Sequence, residues 1–237
     1  MIPIKTASAW RGVADCMDCG VRDSALFADL REEDFALIHA PIDDLEFAVG
    51  DHLLNAGTPS NGVMTLRSGF VKLARVTSDG RERIVRVLRR GAIVGLEALA
   101  GSPYENDAIA LTPVAVCRIP TAVILRLDQH TPRLHQRLMK KWQESVSAAD
   151  DWLTELNFGS AHHRVTQLIL RMRGETDPQV TTLFSRDDMG SMLGLTLETV
   201  SRVVNEYVRK GWLASLDAHG RSYRVQVLDA AALQGVE

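Results

Sequence analysis

The sequence predicts an α+β fold in three successive parts: an N-terminal antiparallel β-roll, a long helix, and a C-terminal winged helix-turn-helix. Three observations predict it. Short apolar or β-branched runs alternate with turn signals from about Ile42 to Pro120. The apolar period lengthens to that of a helix from Pro132 to Asn157, and Ser185 to Trp212 reads as two short helices joined at a glycine. The expected domains are 1–120 (arm and roll), 121–158 (helical connector) and 159–237 (C-terminal domain).

The strand-like runs are Val63-Met64-Thr65-Leu66, Phe70-Val71-Lys72-Leu73, Ile84-Val85-Arg86-Val87-Leu88 and Val114-Ala115-Val116-Cys117, punctuated by Asn61-Gly62, Ser78-Asp79-Gly80 and Gly91. Many short strands at close spacing suit a compact antiparallel roll, not a parallel sheet with crossover helices. The arginines 81, 83, 86, 89 and 90 read as a solvated strand face.

From Pro132 to Asn157 there is no glycine, and the proline stands where a first helical turn accepts it. Met139, Trp142, Val146, Ala149, Leu153 and Leu156 are spaced 3, 4, 3, 4 and 3, the seam of two helices packed side by side. Leu134, Leu138 and Trp152 form a second strip on the same helix. The expectation is one strip against the chain's own roll and one against an identical partner. Phe158-Gly159-Ser160 ends this helix, and Ala161 to Arg173 reads as the next.

Ser185 with Asp188 three residues on has the form of a helix N-cap, Thr196 is placed to cap a second helix, and Gly194 supplies the turn between them. Met189, Leu193, Leu195, Val200 and Val203 fill the positions a helix-turn-helix buries, with Gly190 at the close approach. This leaves Leu197, Glu198, Ser201 and Arg202 exposed near the start of the second helix, the end that enters a major groove. An Arg202 guanidinium matches guanine O6 and N7, a Glu198 carboxylate accepts from a cytosine amino group, and Ser201 is small enough to sit on a base edge. Glu198 and Arg202, four apart, equally suit a surface ion pair. Two strands around His219-Gly220 make a wing, where Arg221 and Arg224 are placed to meet phosphate. Residues 160–237 hold nine Lys or Arg against nine Asp or Glu, so a DNA-binding face must gather its cations locally, from Arg186, Arg202, Arg209, Lys210, Arg221 and Arg224.

The 237 residues are 46% hydrophobic and 24% charged, as in an ordinary globular protein, and the formal charge of −3 gives no global basic signal. No apolar run has transmembrane length and the first twenty residues lack an apolar signal core, so the expected place is the cytoplasm, with no membrane partner. There is no Walker loop, dinucleotide fingerprint, His-Glu-x-x-His or nucleophile elbow, so an enzyme is not expected. Cys16, Cys19 and Cys117 are too few for a disulfide framework and point to thiol, redox or metal chemistry, or to a buried Cys117 with two cysteines on an arm.

A roll, a long helix and a winged helix in this order, from about Cys16 to Val227, resemble the Crp/Fnr family of bacterial transcription regulators. The run Leu193-Gly194-Leu195-Thr196-Leu197-Glu198-Thr199-Val200-Ser201-Arg202 resembles the Fnr branch, whose Glu, Ser and Arg at this spacing read TTGAT-type half-sites. The resemblance implies a homodimer on a palindromic double-stranded DNA operator, coupled to a signal sensed by the roll, with Asp79-Gly80-Arg81-Glu82 as a contact for RNA polymerase. It also implies a sensor pocket around Gly95, Glu97, Asn106 and Asp107. Asn106 and Asp107 stand where the family's phosphate-binding Arg and Ser are found, so cAMP is not expected. Cys16, Cys19 and Cys117 match three of the Fnr-type iron–sulfur ligands, and the remaining position falls on Ala25. No cofactor, an iron–sulfur cluster, haem and a thiol switch all stay open. The alternative function is a cofactor or small-molecule sensor in which DNA binding is secondary.

Overall fold

The structure, a computed structural model, describes residues 10–15, 19–21, 23, 25–38, 40–174, 177–219 and 222–236. Cys16 and Arg221 lie outside them. Two compact units share the chain. One comprises Met1–Arg75 and Arg86–Ser147, the other Val76–Val85 and Ala148–Glu237.

The described residues before Thr121 hold nine strands, β1 (Trp10–Val13), β2 (Asp43–Phe47), β3 (His52–Leu54), β4 (Gly62–Ser68), β5 (Val71–Val76), β6 (Glu82–Leu88), β7 (Ile93–Val94), β8 (Asp107–Ala110) and β9 (Val114–Pro120), with helix α1 (Glu32–Phe35) before β2; all lie in the first unit except the end of β5 and the first part of β6. They form two sheets, β1-β2-β9-β4-β7 and β3-β8-β5-β6. β4 and β9 run antiparallel with Val63 opposite Ile119 and Leu66 opposite Val116. Leu53, Val63, Leu66, Val71, Ala108 and Val116 are completely buried.

Helix α2 (Thr121–His130) leads into α3 (Pro132–Leu156). Leu134, Leu138, Trp152 and Leu156 are buried along α3, whereas Met139, Val146 and Leu153, each seven residues from the next, are 50%, 58% and 55% exposed, and Ala149 is exposed between them. The helix therefore has two apolar strips, and two members of the expected seam are not on the outward one. Leu156 follows Trp152 by four residues, stacks on the same face and is fully buried. Trp142 is half-buried and lines a cavity of the roll.

The second unit holds α4 (Ala161–Arg171), β10 (Val180–Phe184), α5 (Arg186–Leu193), α6 (Leu197–Arg209), β11 (Leu213–His219), β12 (Ser222–Val227) and α7 (Ala230–Gln234), with a sheet ordered β10-β12-β11. Ser185 Oγ accepts from the Asp188 amide at 3.0 Å, and Thr196 Oγ1 accepts from the Thr199 amide at 3.2 Å, so both short helices start on side-chain caps. Gly194 takes φ +62° in the turn. Met189, Leu193, Val200 and Val203 are fully buried, joined by Met192, Val204 and Tyr207, while Leu195, in the turn itself, is only half-buried. No helix among the described residues is long and apolar enough to cross a membrane.

The crossing of α5 and α6 depends on a missing side chain. A Cβ at Gly190 would stand 2.7 Å from the Leu195 carbonyl oxygen, which is backbone and cannot rotate away. Gly190→Ala is expected to cost about 1–3 kcal/mol, as overpacking of a tight contact does. Urea unfolding checks this, and an unchanged midpoint would show that the helices are not held at this distance.

Candidate nucleic-acid interface

The outward side of α6 begins at its first turn. Leu197, Glu198 and Arg202 are exposed and Ser201 is half-exposed, one turn beyond the Thr196 cap. Hydrogen bonds from its own amide and from the Thr196 hydroxyl hold the Glu198 carboxyl below its ordinary value, so it is an acceptor at neutral pH. Glu198 is thus tied to the helix start and not to Arg202. Arg202 has no ion pair or hydrogen bond with any other described residue, which leaves its planar fork of donors available. A fixed acceptor and an unengaged bidentate donor one turn apart are suited to adjacent base edges in a major groove.

The other candidate cations are arranged less simply. Arg224 stands opposite Asp217 across the β11–β12 hairpin and donates to it through Nε at 2.8 Å and Nη2 at 2.5 Å. The pair raises the Arg224 pKa. A phosphate approaching the wing would therefore meet the Arg224 guanidinium already paired with a carboxylate. Arg186 is half-buried, with its guanidinium carbon 5.0 Å from the Tyr223 ring centre. Lys210 bonds Glu206 at 2.8 Å and lies 4.6 Å from the Trp212 ring centre. Arg209 is exposed in the last turn of α6.

Several supporting residues gave no periodic signal. Arg164 on α4 donates to the Leu193 carbonyl at 2.8 Å, placing a cation at the C-terminal end of α5. Tyr207 of α6 is buried with its hydroxyl 2.8 Å from Thr166 and donating to the His162 carbonyl at 3.2 Å. His162 Nε2 lies 3.0 Å from Glu206 Oε2, so α4 and α6 are joined by a polar contact at each end of this cluster.

In the first unit a cavity of about 140 Å³ is lined by apolar side chains, among them Leu54, Leu73 and Ile93, and by the polar Arg86, Glu97, Glu105, Asn106 and Ser145, with Trp142 beside them. Gly95, Glu97 and Asn106 line it as expected from the sequence. Asp107 does not. It is the first residue of β8, one position on from Asn106, and its Oδ1 accepts from the Ala56 amide at 2.9 Å. The carboxylates that do face the cavity are Glu97 and Glu105. Arg86, expected on a solvated face, is half-buried here. Its Nη1 donates to the Ser145 carbonyl at 2.7 Å and the Ser145 hydroxyl at 2.6 Å.

Cys117 is buried on β9 opposite Thr65, and burial pushes its thiol pKa up, toward the protonated form. Cys19 is half-buried. Ala25 is buried and offers no donor atom in its side chain.

Two family profiles match this chain: one described as a cyclic nucleotide-binding domain over residues 44–130, the other as a Crp-like helix-turn-helix domain over residues 163–236. The chain is 27% identical over 228 residues to the fumarate and nitrate reduction regulatory protein of Salmonella typhi, covering 93% of this chain and 90% of that one. It is 28% identical over 234 residues to the transcriptional activator protein anr of Pseudomonas aeruginosa, covering 93% and 91%. In fold it is similar to FixK2 from Bradyrhizobium japonicum, at TM-score 0.71 and 23% identity over 81% of this chain and 96% of that chain. It is also similar to a CRP-family transcriptional regulator from Thermus thermophilus, at TM-score 0.66 and 22% identity over 80% and 94%.

Neither group that such a roll suggests fits the residues present. The cavity is below the ~300 Å³ at which small-molecule pockets begin; of its lining side chains Glu105 is paired with Arg75 at 2.6 Å and Arg86 is engaged by Ser145, so no lining cation is left over for a cyclic nucleotide phosphate among the described residues. An Fnr-type cluster uses four thiolates, whereas the chain has three cysteines, and the side chain of Ala25 supplies no ligand in place of the fourth.

The Glu206 carboxyl is held down to about 2, chiefly by His162 and then by Lys210. Its folded value lies below its ordinary 4.5, so its contribution to stability is complete above about pH 4.5 and is lost as pH falls toward 2. Melting curves across that range are expected to fall more steeply for the wild-type chain than for Glu206→Gln. Parallel slopes would show that the pair does not hold α4 to α6.

Proposed function

The chain belongs to the Crp/Fnr family of transcription regulators, and from that premise we propose that it acts as a homodimer reading a two-fold-symmetric duplex operator. It is a regulator with a sensing domain and a helix-turn-helix DNA-binding domain. In this reading residues 1–120 sense, 121–158 connect and dimerise, and 159–237 bind DNA in the cytoplasm, as a regulator and not as an enzyme. The likeness of Leu193 to Arg202 to the Fnr branch supports half-sites of the TTGAT type.

The observation that carries the reading is the guanidinium of Arg202, which no other described residue engages, beside the hydrogen-bonded carboxylate of Glu198. Arg202 takes a guanine, Glu198 a neighbouring cytosine, and Ser201 packs on a base edge, with Thr196 near the backbone. Arg221 and, through its pair with Asp217, Arg224 serve the wing. Met139, Val146, Ala149 and Leu153 form the strip that meets the partner, with Trp142 at its margin. The exposed turn Asp79 to Glu82 is the surface offered to RNA polymerase.

Arg202→Ala is expected to lower affinity for a TTGAT-type palindrome by ~1–3 kcal/mol while leaving binding to random duplex nearly unchanged. Fluorescence anisotropy on both duplexes measures it. Equal losses on the two would assign Arg202 to phosphate instead. Val146→Glu and Leu153→Glu place charge in the outward strip and are expected to give monomers by light scattering, with loss of palindrome binding. A dimer that survives both would put the interface elsewhere.

A further inference from the structure

The cavity of the roll lies where the sheets meet α3, and the chain bridges it with its own side chain. Arg86 reaches from β6 to Ser145, 59 positions later, and one guanidinium nitrogen serves both the carbonyl and the hydroxyl of that residue. The carbonyl belongs to the interior of a continuous helix, so it already takes part in the helical ladder and uses its second lone pair for Arg86. Burial disfavours the charge on Arg86, and Glu97 partly restores it. A guanidinium removed from water at such a place is tolerated only when fixed acceptors receive it. Ser145 is followed directly by Val146, which stands on the outward strip of α3. The bridge therefore ends one residue from the surface on which the partner is proposed to pack.

We infer that Arg86 is the built-in link between the roll and α3, taking the place of a bound nucleotide, so that this regulator binds its operator without a small molecule in the cavity. The inference rests on the operator reading above for its DNA assay but not for its structural one. Removing the guanidinium frees α3 from the sheet at Ser145 and lets the helix shift, which lowers the population competent to present both recognition helices. Arg86 is a positioning residue in this account, since it touches no DNA.

The test uses the full chain with two measurements. In the first, anisotropy on a TTGAT-type palindrome compares wild type, Arg86→Lys and Arg86→Ala, and adds cyclic AMP or cyclic GMP in excess to the wild type. Wild type is expected to bind tightly without nucleotide and to be unmoved by it. Arg86→Ala is expected to bind about tenfold more weakly, within the ~5- to 150-fold range of couplings between sites. Arg86→Lys, with a point charge that reaches one acceptor of the two, is expected to fall between them. In the second measurement, hydrogen exchange without DNA is expected to speed up across Trp142 to Ala149 in Arg86→Ala and less so in Arg86→Lys. Wild-type binding that appears only on adding a cyclic nucleotide overturns the inference. So does an Arg86→Ala chain that matches wild type in both measurements. If Arg86→Ala does not fold, Arg86→Lys and the nucleotide titration decide. If wild type does not prefer the palindrome to random duplex, the operator reading fails, and hydrogen exchange alone judges the link.

Discussion

One helix with two apolar strips is the constraint on which the rest depends. A helix buried on one side only would be finished as a cover for its own chain. In α3, Leu134, Leu138, Trp152 and Leu156 already serve that purpose, and Met139, Val146 and Leu153 remain outside at a seven-residue period. Three large apolar side chains at least half exposed in one line are unfavourable for an isolated chain, and a second copy of the same line relieves them symmetrically. Everything proposed for the reading of DNA follows from that pairing, because two copies related by a two-fold axis carry two recognition helices.

The helix-turn-helix is held by equally simple physics. Two side-chain caps fix where α5 and α6 begin, a left-handed glycine turns the chain, and a second glycine lets one helix approach the backbone entering the other. The Thr196 hydroxyl also meets the Glu198 carboxylate, which is engaged at the helix start and not by Arg202. Local chemistry at the start of the helix decides which groups remain available at its outward face.

These features were legible in the sequence for a physical reason: caps, turns and heptads are rules of short range. Other features depend on partners that short range does not supply. Asp107 is one residue from Asn106, and a strand sends neighbours to opposite faces, so a pocket assignment made by segment cannot be right for both. Arg224 meets Asp217 only because the hairpin register, shifted between Ser215 and Asp217, sets them opposite each other. Arg86 looks like one member of a solvated arginine run until α3 arrives from 59 residues away. Leu156 illustrates the limit of periodicity itself. It is three residues from an outward Leu153 and four from a buried Trp152, and only packing decides between them.

The central claim is that two chains joined through α3 read one operator as a unit. Sedimentation of the full chain with a duplex carrying two half-sites, compared with the same duplex lengthened between them by about five base pairs, half a helical turn, tests it most directly. The account predicts two chains per duplex on the first and loss of tight binding on the second, because the rotated half-site no longer faces the second recognition helix. Equal affinity for both duplexes would contradict it, since it would mean that each chain reads its half-site alone.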